Sequence, residues 1–127
     1  MSQTEQDKIL RRFGSAFFKR DLAALAEVVT PDFEWRFAIG GDDPHGRVYR
    51  GLDGVATGFA ERDRLLESAR YDDVVNTPMA DGRVLMEYRV SGAFMDGTPF
   101  NLKGVEVLAF RDGRLAVKDV YWKQHRA

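Results

Sequence analysis

Three Asp-Gly pairs, Asp81-Gly82, Asp96-Gly97 and Asp112-Gly113, punctuate the second half of the chain. Such pairs supply the positive-φ residues of a tight hairpin turn, and each falls between strand-like runs. The runs cover about 70–77, 83–94, 100–111 and 114–123. Strands joined by turns this short must run antiparallel to their neighbours, so this half is predicted to be a four-stranded meander.

The first half reads differently. Over 5–20, Ile9, Phe13, Ala16 and Phe17 recur at helical spacing, opposite Glu5, Asp7, Lys8, Arg11, Arg12 and Lys19. Asp21 is placed to cap a second, short helix through Leu22, Leu25, Val28 and Val29, which Thr30-Pro31 ends. From Phe33 the period becomes two: Phe33, Trp35, Phe37 and Ile39 form one aromatic face of a strand. The run Gly40-Gly41-Asp42-Asp43-Pro44-His45-Gly46 is a loop, and a third helix is predicted over about 53–68 with Val55, Phe59 and Leu66 inward. Gly54 and Gly58 weaken its first turns, which points to close packing there. Helices packed on one face of a curved antiparallel sheet make an α+β architecture, and 127 residues suit one domain over 1–127.

Composition excludes several function classes. A net charge of −1 is a poor match to duplex nucleic acid or an anionic membrane, and with no cysteine there is no disulfide frame, thiolate nucleophile or cysteine metal site. No phosphate-cradling glycine motif and no metal-ligand spacing stands out, so neither cofactor nor metal is expected. Asp42-Asp43 alone is too small a cation set, and His45 and His125 read as solvated. The N-terminus lacks a secretory pattern and no apolar run reaches membrane-span length, so the expected location is cytoplasmic. Nine Phe, four Tyr and two Trp suggest an aromatic-lined cavity for a small apolar or aromatic molecule.

The order of elements, with Phe18-Lys19-Arg20-Asp21-Leu22 leading to Thr30-Pro31-Asp32-Phe33-Glu34-Trp35, then Tyr49-Arg50-Gly51-Leu52-Asp53-Gly54-Val55, then Asp112-Gly113-Arg114-Leu115 and Val120-Tyr121-Trp122, resembles one superfamily. It is that of nuclear transport factor 2, the ketosteroid isomerases and the SnoaL-like polyketide cyclases. The resemblance spans nearly the whole chain and implies a cone-shaped sheet wrapped around three helices. It also implies a homodimer formed through the convex sheet face. Carried over from the isomerases, the oxyanion-hole tyrosine falls on Phe13, the general-base aspartate on or beside Phe37, the second acid on Glu106 and the pocket tryptophan on Trp122. Only one of three functional carboxyl or hydroxyl groups survives, so ketosteroid isomerisation by that mechanism is not expected.

Glu106 is the focus of the candidate site. It is the lone carboxyl in the alternation Phe100, Leu102, Gly104, Glu106, Leu108, Phe110, and a carboxyl on a dry face must be protonated, paired or functional. Its cross-strand neighbour depends on the Asp96-Gly97 loop: one length sets it opposite Glu87, a longer one opposite Arg89. Periodicity would instead send Val84, Met86, Tyr88 and Val90 inward. The resemblance favours Glu87, Arg89 and Ser91, because a convex dimer face also needs apolar residues. At the last turn, a two-residue loop brings Asp119 and Tyr121 beside Glu106, and a three-residue loop with Gly113 as a bulge brings Lys118 and Trp122. The resemblance favours the latter. The expected cavity is floored by Phe13, Phe17, Trp35, Phe37 and Phe59, with Glu106, Arg89 and Lys118 as its polar groups and Trp122 near the mouth. Two functions follow. One is a cofactor-free isomerase, cyclase or dehydratase with Glu106 as base and Arg89 or Lys118 stabilising charge. The other is a noncatalytic ligand-binding or dimerisation module of the same fold.

Overall fold

A computed structural model describes residues 1–41 and 43–123. Helix α1 (Gln3–Lys19) starts at Ser2, whose hydroxyl accepts the Glu5 amide at 3.1 Å, and ends at Arg20, left-handed with φ 58°. Asp21 accepts the Ala24 amide and opens α2 (Leu22–Val28), as its position in the sequence suggests. Strand β1 (Val29–Arg36) follows without a loop, and β2 (Val48–Arg50) pairs back on it. Helix α3 (Gly51–Leu65) leads directly into β3 (Leu66–Pro78), then β4 (Val84–Phe94), β5 (Pro99–Arg111) and β6 (Arg114–Trp122).

The six strands form one sheet in the order β2-β1-β6-β5-β4-β3, antiparallel except for β1 beside β6. The meander β3 to β6 is the one the Asp-Gly pairs dictate. The parallel pair and the three-residue β2 carry no comparable sequence signal. Bulges in β3, between Leu66 and Ser68 and between Asp72 and Val75, bend its end of the sheet around the helices. At the first bend Gly92 of β4 lies so close that an added Cβ would stand 2.1 Å from the Ser68 carbonyl oxygen. This α+β cone is the fold expected from the order of elements.

The helices fill the concave face. Trp35 and Phe33 of β1 are buried, Phe33 against Phe13 of α1 and Trp35 beneath α3, and Gly58 is what lets α3 approach, since a Cβ there would meet the Trp35 ring at 2.6 Å. Around Trp35, the rings of Phe17, Phe37, Tyr49 and Phe59 lie 4.9–5.6 Å away. Two clamps fix α1. Gln6 donates to the Gly82 carbonyl in the β3–β4 turn at 2.7 Å, and Arg20 holds Asp63 of α3 through two bonds of 2.6 Å. Among the described residues, no helix is long and apolar enough to cross a membrane.

Candidate functional site

Strand β5 delivers Glu106 to the concave face. The alternation that singles it out is realised: Phe100, Leu102, Leu108 and Glu106 itself are buried, and Glu106 is only 4% exposed. What surrounds it depends on two registers, and each differs from expectation in an instructive way.

The β4–β5 loop contains three residues, Met95-Asp96-Gly97, between Phe94 and Thr98. Gly97 takes φ 88° as the left-handed bulge residue that closes such a loop. A shift of one residue inverts which face every side chain occupies. Met86 therefore pairs with Glu106 and Tyr88 with Gly104, while Arg89 pairs with Lys103 on the opposite face. Arg89 is not beside Glu106. It is exposed on the outer side, near Asp72 at 3.5 Å and Asp73 at 3.7 Å. The apolar period Val84, Met86, Tyr88, Val90 identifies the inward face correctly, against the assignment drawn from the resemblance.

The β5–β6 turn has two residues, and both Asp112 (φ 53°) and Gly113 (φ 74°) have the positive φ of a type I′ turn. Arg111 pairs with Arg114, the register that would bring Asp119 and Tyr121 inward. An extra residue at Ala116 reverses this, for Phe110 pairs with Leu115 and Ala109 with Val117. Its mark is two successive buried residues, Leu115 and Ala116. Lys118 and Trp122 thus reach the expected face, through a bulge inside the strand instead of at Gly113.

Four side chains consequently form a connected polar line. Lys118 Nζ donates to Glu106 Oε1 at 2.6 Å, the Tyr88 hydroxyl donates to Glu106 Oε2 at 2.8 Å, and Trp122 Nε1 donates to the Tyr88 hydroxyl at 3.2 Å. Burial, and then the Glu106 charge, push the Tyr88 phenol far above its ordinary value, so it remains protonated and able to donate. The Lys118 ammonium also lies 5.0 Å from the Phe17 ring centroid and 5.9 Å from that of Phe13, favourable positions over negative ring faces. Gly104 leaves the necessary room, because a Cβ there would stand 2.4 Å from the Tyr88 ring and 3.0 Å from Trp122.

Glu106, Lys118 and Tyr88 open onto a cavity of about 610 Å³. Phe13, Phe17 and Phe59 line it as expected, joined by Leu10, Met86, Leu108 and Tyr71. Trp35 and Phe37 do not line it: both are buried, Trp35 against Phe59 of α3 and Phe37 against Trp35 and Tyr49. Trp122 also lies outside the lining, stacked on Phe100 at 5.6 Å and acting on the cavity through Tyr88. The hydroxyl that Phe13 lacks is present on Tyr88, brought in by β4. His45 is exposed on its loop and does not line the cavity, whereas Asp42 and His125 lie outside the described residues.

The sequence profile of the SnoaL-like domain matches residues 10–118. The chain belongs to the SnoaL-like domain family. No curated protein matches it. Among solved structures, this SnoaL-like chain is similar to an NTF2-like protein from Burkholderia xenovorans LB400, with a TM-score of 0.80 and 22% identity over 97% of this chain and 92% of that one. It is also similar to a putative polyketide cyclase from Xanthomonas campestris, with a TM-score of 0.74 and 19% identity over 95% and 92% of the two chains. A third is TerC, co-crystallised with polyporic acid, with a TM-score of 0.73 and 18% identity over 94% and 92%. At such identities the likeness establishes the NTF2-like cone for this SnoaL-like protein, and its chemistry must be argued from its own residues.

Proposed function

We propose that this SnoaL-like protein binds a largely apolar small molecule in the cone and acts on it by cofactor-free acid/base chemistry, as an isomerase, cyclase or dehydratase. The observation that carries this reading is a buried ion pair, Glu106 and Lys118, facing a cavity of about 610 Å³ whose remaining lining is mostly apolar and aromatic apart from three arginines, Arg20, Arg62 and Arg70. That volume suits a small-molecule ligand, and one convergent polar cluster in an apolar cavity is the usual form of such a site. Glu106 is placed to take a proton from a carbon or hydroxyl of the ligand. The Lys118 ammonium and the Tyr88 hydroxyl are placed to steady the oxygen that gains charge as the proton leaves. The polyketide cyclase and polyporic acid named for two structural neighbours are compatible with this class of ligand.

One observation favours a second reading, a noncatalytic binder: both Glu106 oxygens already accept a hydrogen bond within the protein. The two readings separate in a thermal-shift screen of polycyclic phenols and quinones against wild type and Glu106→Gln, followed by turnover assays on the hits. Stabilisation of wild type, with turnover abolished in Glu106→Gln, is the expected result. Stabilisation of both proteins with no turnover would leave the binder, and identical responses throughout would remove Glu106 from the site.

A further inference from the structure

The cavity mouth has a charge pattern that the acid/base pair does not account for. Arg20, Arg62 and Arg70 line the cavity beside its apolar wall, and among the described residues Glu106 is the only carboxylate of the lining, already held by Lys118. The arginines differ in how far they are neutralised. Arg20 is fully engaged by the bidentate pair with Asp63. Arg70 has one contact with Asp72 at 3.2 Å, and Asp72 is also shared with Arg89. Arg62 is half-buried and donates a long hydrogen bond, 3.4 Å, to the Tyr71 hydroxyl. Of the two carboxylates flanking Arg62 in sequence, Glu61 accepts from Arg47 and the Tyr49 hydroxyl, and Asp63 is held below its usual range first by the Arg20 bonds and also by the charge of Arg62. One carboxylate thus serves two guanidiniums, and positive charge remains at the rim.

Tyr71 links this rim to the interior, its hydroxyl accepting from Arg62 and its ring set edge-on to Tyr88 at 5.1 Å. We infer that the ligand is an elongated aromatic acid whose carboxylate, or equally acidic enol, is held at the mouth by Arg62, with Arg70 beside it, while its apolar body extends inward to Glu106 and Lys118. A guanidinium fork matches a planar carboxylate in a way the neutral phenol cannot. An anion there also completes the charge balance of the rim. This inference rests on the cavity being a ligand site.

The test is calorimetric titration of wild type, Arg62→Gln and Lys118→Gln with biphenyl-4-carboxylate and its neutral isostere, biphenyl-4-carboxamide. Wild type is expected to bind the carboxylate about ten-fold or more tightly than the amide, the scale of a charge-assisted hydrogen-bond pair. Arg62→Gln should abolish that preference while leaving amide affinity unchanged, and a thermal melt checks that the variant is folded. Equal affinities on wild type would overturn the inference and leave the ligand-site reading intact. So would a preference that survives Arg62→Gln and is lost in Lys118→Gln, since the anion would then lie at the inner pair. Failure of both probes to bind wild type would overturn both readings.

Discussion

Glu106 and Lys118 have side chains only 6% and 12% exposed and stand 2.6 Å apart, so each is the other's principal compensation for leaving water. Removing one partner of such a pair strands a charge and costs about 3–5 kcal/mol, whereas replacing both with apolar groups is often close to neutral. In urea unfolding, Lys118→Met is therefore expected to lose about that much and Lys118→Met/Glu106→Leu to recover most of it. A single variant as stable as wild type would mean that water reaches Glu106 freely. Glu106 was legible in the sequence because a charge inside an apolar alternation has no bland place to go. Tyr88 was not, because a tyrosine among Val84, Met86 and Val90 looks like core, and its hydroxyl acquires meaning only when the register sets it against Glu106. A faint signal did exist in Gly104, a missing side chain on the same dry face, which marks space taken by a neighbour.

At the level of elements, parity matters more than identity. The helices, the hairpins and the dry faces of β1 and β5 all follow from periodicity and turn chemistry. The partners across the sheet do not, because one residue more or less in a loop inverts a whole strand. The three-residue loop at Asp96-Gly97 sent Arg89 outward in this way, and the bulge at Ala116 returned Lys118 inward after a turn that would have excluded it. The parallel pairing of β1 with β6 was illegible for another reason: pattern reports which face is dry and never which distant strand lies alongside. Inserting one alanine between Ala116 and Val117, with the turn and bulge held, should shift the rest of β6 by one residue, turning Lys118 to the outer face and setting Asp119 opposite Glu106, two carboxylates where an ion pair belongs. The expected outcome is a loss of more than about 3 kcal/mol or an insoluble product, the scale of an uncompensated buried charge. Wild-type stability with Lys118 still protected would show that the register is fixed elsewhere.

For the whole molecule, the outer face of the sheet remains to be covered. Val75, Glu87, Val105 and Tyr121 lie in one row across β3, β4, β5 and β6, with Leu85 and Val107 in the next. Val75 is 55% and Tyr121 53% exposed, at the two ends of that row. Self-association through this face, the assembly the resemblance implies, should appear in sedimentation as twice the monomer mass, and Val105→Asp should halve it. A wild type that sediments only as monomer would rule this assembly out.

The hydrogen bond from Trp122 to Tyr88 has one more consequence. The chain has two tryptophans, and Trp35 is sealed in the core at 2% exposure. Trp122 instead shares a bond with Tyr88, one of the residues that line the cavity. Any occupant that disturbs Tyr88 alters the electronic surroundings of that indole without touching it, so the protein has an intrinsic fluorescent reporter wired to its own interior.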